Sequence, residues 1–137
     1  MKPLIYIFVL ASSLSTYAQS VLNPFTSNLV WEYSTVTIDS TPFSLRGKFI
    51  THGKGKVEWI QNDSNENPFT VSRVTGKWKN SSDEGVIVFN VQMDASSGTI
   101  EFKRESQYQN VNVMLTMNNP GRKSTSFKFV IDTVNAL

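Results

Sequence analysis

The stretch GVIVFNVQMDASSGTIEFKRE, residues 85–105, alternates apolar and polar side chains twice over. Ile87, Phe89, Val91 and Met93 share one side of the first run, and Ile100 and Phe102 share one side of the second, against Glu101 and Lys103. A period of two places successive side chains on opposite faces of an extended chain, so each run reads as a strand with one apolar face. The polar DASS between them is far shorter than the crossover of about a dozen residues that a parallel pair needs. The two runs therefore form an antiparallel hairpin.

The same pattern recurs on both sides of this hairpin. Before it come NLVWEYSTVTI (28–38), FSLRGKFI (43–50), KVEWIQ (56–61) and FTVSRVTGKWK (69–79); after it come NVNVMLTMN (110–118) and STSFKFVIDTV (124–134). In the fourth run Phe69 and Val71 are in phase, whereas Val74, Gly76 and Trp78 are one residue out of step. One extra residue near Ser72 and Arg73 repairs the phase, which predicts a β-bulge there. Val30, Val36, Ile38, Ile60, Val86, Val88 and Val130 fall on the outward face by the same count. The connections HGKGK, NDSNENP, KNSSDEG and DASSG are polar turns or loops, and NNPGRK centres Pro-Gly in a type II turn. No segment shows the helical i, i+3, i+4, i+7 spacing with capping residues. The fold class is all-β, a single antiparallel eight-stranded up-and-down barrel, with a two-sheet β-sandwich as the alternative. Closure removes exposed edges, and the short hairpins leave no long Greek-key connection, so the barrel is preferred.

The chain has 137 residues and opens MKPLIYIFVLASSLSTYAQS. Lys2 precedes an apolar run over 4–14, and Thr16 and Ala18 stand three and one residues before a cut at Gln19. This is the layout of a secretory signal peptide over 1–18, and the run is shorter than the roughly 20 residues of a membrane-spanning helix. Residues 19–137 then form one domain, secreted or periplasmic. The net charge of +2 includes Lys2, so the processed chain is nearly neutral, against the basic excess of a nucleic-acid binder. With no cysteine, the domain is held by packing and hydrogen bonds and offers neither a thiol nucleophile nor a thiolate metal site. An outer-membrane barrel shares the leader and the alternation. The short third strand and the apolar residues on both faces argue against it.

Trp31, Tyr33, Phe43, Phe49, Trp59, Phe69, Trp78, Phe89, Phe102, Phe127 and Phe129 fall on the apolar face. An eight-stranded barrel is only just wide enough to be filled by side chains, so these rings imply a packed core with, at most, a shallow apolar pocket at one end. Trp31, Trp59, Trp78 and Tyr33 are the candidate ligand-binding residues, because rings at a mouth can stack on a lipid chain or a sugar ring. Gly76-Lys77-Trp78 resembles the Gly-x-Trp signature of the lipocalin-like (calycin) barrels, here on the fourth strand rather than the first and without a helical segment at the C-terminal side. That resemblance implies an eight-stranded barrel carrying a small apolar ligand.

No residue set points to catalysis or to a cofactor. The lone His52 sits in THGKGK as an exposed turn residue, without a serine or carboxylate at triad spacing. Asp63, Asn65 and Asn67 begin like a calcium loop, but Pro68 and Val74 stand where glycine and the bidentate glutamate belong. Asn62 and Asn80 head glycosylation sequons in loops. Arg46, Lys48, Lys56, Lys77, Lys79, Lys103 and Arg104 scatter over the outward face among Glu58 and Glu101, a solvated mixed surface. The reading is a non-catalytic binder of a small apolar or amphipathic ligand, with a glycan or protein partner as the alternative and no nucleic acid.

Overall fold

A computed structural model describes residues 21–62 and 65–137. The leader assigned to 1–18 and residues Asp63 and Ser64 lie outside them. Eight strands follow one another: β1 (Asn28–Ile38), β2 (Thr41–His52), β3 (Val57–Gln61), β4 (Asn65–Lys77), β5 (Gly85–Met93), β6 (Ser96–Arg104), β7 (Asn112–Asn118) and β8 (Thr125–Ala136). Each pairs antiparallel with its neighbour in sequence, and β1 pairs with β8 to close the barrel. The up-and-down barrel is thus the fold, and the sandwich is set aside.

Turn chemistry sets the hairpins. Asp39 and Ser40, both at positive φ (47° and 69°), make the two-residue turn whose twist matches paired strands. At the turn predicted in NNPGRK, the Arg122 N–H donates to the Asn119 carbonyl at 3.1 Å, with Gly121 at φ 71°. The loop expected over 62–68 is shorter than its composition suggests, because β4 already begins at Asn65.

Register accounts for which faces are buried. The bulge expected near Ser72 is present as a shift between Val71 and Arg73 against β5. Further shifts converge on Tyr33: β1 slips against β8 on both sides of it, and against β2 between Tyr33 and Thr35. Ser34 and Asp132 are the extra residues, and the Ser34 hydroxyl donates to Asp132 Oδ2 at 2.8 Å. The slip turns the far half of β1 over. Val36 is buried and Ile38 packs on the core, which corrects their expected outward placement.

The interior is solid with rings. Phe49 meets Phe102 and Phe129 edge-on at 5.6 and 4.9 Å, and Phe102 meets Trp31 at 4.9 Å and Phe89 at 5.8 Å. Tilted and edge-to-face contacts suit the ring quadrupole and lock the packing beyond what area burial gives. Among the described residues every buried side-chain nitrogen or oxygen has a partner.

The two ends differ. Residues 21–27 run across the end where β1 begins. Pro24 is buried there, and Leu22 and Phe25 pack against the core. The Leu22 carbonyl accepts from Ser81 N–H at 2.8 Å and the Ser27 carbonyl from Gly53 N–H at 3.2 Å, which ties the segment to the β4–β5 and β2–β3 connections. Gly53 is needed for this: at φ 56° its missing Cβ would stand 2.9 Å from the Phe25 carbonyl. Arg104 belongs to the same end. It is half-buried rather than outward, and its Nε donates to the Ser81 carbonyl at 2.9 Å. Burial lowers its pKa, with Asp83 opposing the shift.

Candidate ligand site at the open end

At the opposite end the core rings reach solvent. Trp59 stacks on Phe49 at 6.0 Å with an 11° tilt, and meets Phe127 at 5.6 Å. Phe127 lies opposite Ile38 in the β1–β8 register. Phe43 lies opposite the buried Val36, and directly paired residues share a face, so Phe43 is on the core side. It is nevertheless 45% exposed, where the sequence pattern placed it inside. Ile38 pairs with Phe127, and Phe127 meets Trp59, so these three border the apolar mouth of a filled barrel, with Phe43 diagonal to Ile38 on β2.

The cause is a short wall. β3 has five residues and pairs with β2 only from Gly47 onward, so residues 41–45 of β2 have β1 as their single strand partner among the described residues. The Asn62 N–H donates to the Arg46 carbonyl at 3.2 Å and ends the wall there. Among the described residues, a notch is left beside the upper half of β2, beyond Asn62.

Outside the notch the bulges open a surface groove of about 460 Å³ over β8, β1 and β2, lined by Glu32, Ser34, Arg46, Lys48, Asn62 and Asp132 among others. A second depression of about 520 Å³ shares Ser34, Arg46 and Asn62 with it and adds Leu45, which is 42% exposed. Thr133 donates to Glu32 Oε2 at 2.9 Å, as Ser34 does to Asp132, so both carboxylates are held from the flank.

The four residues singled out in the sequence fall into two clusters. Trp31 and Trp78 lie together at the stoppered end, 5.6 Å apart and buried. The Trp31 indole donates to Thr51 Oγ1 at 2.9 Å and the Trp78 indole to the Asp83 carbonyl at 3.0 Å. Tyr33 and Trp59 lie together nearer the mouth, where the Trp59 indole donates to the Tyr33 hydroxyl at 2.7 Å. Burial raises the Tyr33 pKa, and the indole donor only partly opposes it, so the phenol is neutral in the ordinary range. Of the four, Trp59 alone is only partly buried. Phe127 was legible as an aromatic of the apolar face; Ile38 was not, because its face depends on the bulge at Ser34.

Other motifs resolve into structure. Gly76, at φ 114°, has the Val86 carbonyl oxygen 2.3 Å from where a Cβ would be, and Trp78 packs its ring over Gly85. His52 ends β2 half-buried instead of standing free in a turn: its Nε2 lies 3.2 Å from Glu58 Oε2, and Lys56 Nζ lies 3.0 Å from Glu58 Oε1. Lys56 first, then His52, holds the Glu58 carboxyl below its ordinary range. Among the described residues no group of three or more histidine or acidic side chains is placed to hold a metal ion. The chain matches no protein-family model, no curated protein and no solved structure.

Proposed function

We propose that this protein is an exported, non-catalytic barrel that binds a small apolar or amphipathic ligand at its open end, on Trp59, Phe127, Ile38 and Phe43. The observation that carries this reading is Phe43, a core-side ring left 45% exposed, paired with Val36 and diagonal to Ile38, which itself pairs with Phe127. At this exposure the ring forgoes somewhat under half of the about 1.5–3 kcal/mol that full burial of such a side chain supplies. A ligand chain laid across the mouth recovers part of it. The packed interior makes the seat shallow, so the ligand caps the core rather than entering it. The resemblance of Gly76-Lys77-Trp78 to lipocalin-like barrels points the same way and belongs to this proposal.

The orientation of the barrel also supports a protein surrounded by water. Glu32 pairs with Lys48, and Glu101 with Met114 beside Lys128, on the outward face of mid-strand positions. Lipid-facing strands carry the opposite arrangement, apolar outside and polar within.

Titrating dodecanoate while following tryptophan emission tests the reading. The native protein should respond saturably. Phe43→Ser should weaken binding at least several-fold, since it removes ring contact worth about 1 kcal/mol or more. No saturable response of the native protein to dodecanoate or to an uncharged dodecyl amphipath would overturn it.

A further inference from the structure

We infer that the ligand is an amphipath with an uncharged, hydroxyl-rich headgroup, whose chain lies on the apolar mouth and whose head passes through the notch into the outer groove. The inference rests on the open-end reading and adds the chemistry of the head. The notch makes the passage. Above Arg46 no described strand separates the core-side ring of Phe43 from the outer groove, and Leu45 leads from one to the other. The two depressions share Ser34, Arg46 and Asn62 and so adjoin each other.

The groove's chemistry selects the head. Two carboxylates, Glu32 and Asp132, face two cations, Arg46 and Lys48, so the lining is balanced in charge. A phosphate head would call for a cationic excess, and an amine head for an anionic one. Hydroxyl groups both donate and accept, and they match carboxylate acceptors, guanidinium and ammonium donors, and the Asn62 amide side by side. Ser34 and Thr133 each occupy one oxygen of a carboxylate, which orients the other for a ligand without closing the groove.

An added β-strand is the rival occupant of the notch, and Pro42 opposes it. Ile38 and Thr41 close the two-residue turn as a hydrogen-bonded pair, so at the next position the Pro42 nitrogen faces the free edge. It has no N–H to offer there, which blunts pairing with another chain.

Isothermal titration with monomeric dodecyl maltoside, dodecanoate and maltose tests the inference. The maltoside should bind about tenfold or more tighter than dodecanoate, the worth of one or two net hydrogen bonds. Asp132→Asn and Glu32→Gln, both at exposed positions, should weaken the maltoside several-fold and should not weaken dodecanoate. Dodecanoate binding as tightly as the maltoside, or both variants leaving the maltoside unchanged, would overturn the headgroup while leaving the open-end reading standing. Maltose binding as tightly as the maltoside would overturn the single-ligand path by making the groove a separate glycan site. Binding of neither dodecyl compound would overturn both readings.

Discussion

The Trp59 indole N–H donates to the Tyr33 hydroxyl at 2.7 Å, and that hydroxyl occupies the space above Gly47 where any other residue would place its Cβ. A Cβ at position 47 would stand 2.1 Å from the Tyr33 oxygen and 2.7 Å from the Ile60 carbonyl. The tyrosine thus covers a glycine in the wall and fixes the indole that borders the mouth. Gly47→Ala should destabilise the protein by about 1–3 kcal/mol through overpacking, measured by urea denaturation. A stability equal to the parent's would contradict the close approach.

At the stoppered end the Thr51 hydroxyl is buried, the residue being 1% exposed, and it accepts from Trp31. Thr51→Val keeps the shape and strands the buried indole N–H, at a cost of about 1–3 kcal/mol. Thr51→Ser, which keeps the hydroxyl, should cost less. Thermal denaturation of the pair in parallel gives the order, and valine at least as stable as serine would refute the role assigned to this bond.

Gly76→Ala puts a side chain at φ 114° with its Cβ against the Val86 backbone. Backbone strain alone costs about 1–3 kcal/mol at such a site. The loss should come with a changed near-ultraviolet circular dichroism signal, because Trp78 lies two residues on. An unperturbed signal and unchanged stability would mean that the glycine is dispensable.

Glu58 gives an acid-sensitive contribution. Its pKa is lowered from the ordinary 4.5 by Lys56 and then His52, so the carboxylate stabilises the fold above that value. The contribution is lost as pH falls through the lowered pKa. The pair is at the surface, so the amount is less than about 1 kcal/mol. The difference in melting temperature between the native protein and Glu58→Gln should be largest near neutrality and shrink below pH 4.5. A gap independent of pH would exclude this linkage.

Much of this fold can be read from alternation alone. The boundaries of β1 and β5 agree with the pattern, and the phase slip in β4 announces its bulge because Val71, Val74 and Trp78 are all apolar. The bulge at Ser34 gives no such notice. Val30, Val36 and Ile38 share one phase with no break among them, and it is the registers of β1 with β8 and β2 that show Val36 and Ile38 turning inward. The candidate mouth depends on that slip and on the shortness of β3. Both are properties of how strands meet rather than of any one strand. Trp59 is legible as an aromatic of the apolar face, but its place apart from Trp31 and Trp78 comes from its pairing with Phe49 and its packing on Phe127.

The three tryptophan indole N–H resonances report separately on the two ends, so a nitrogen–proton correlation spectrum recorded during titration with dodecyl maltoside tests the open-end site most directly. Binding at the mouth should shift the Trp59 indole peak, with its bond to Tyr33, and leave those of Trp31 and Trp78 in place. A titration that leaves the Trp59 peak unmoved at saturating ligand, or moves only the peaks from the stoppered end, would contradict it.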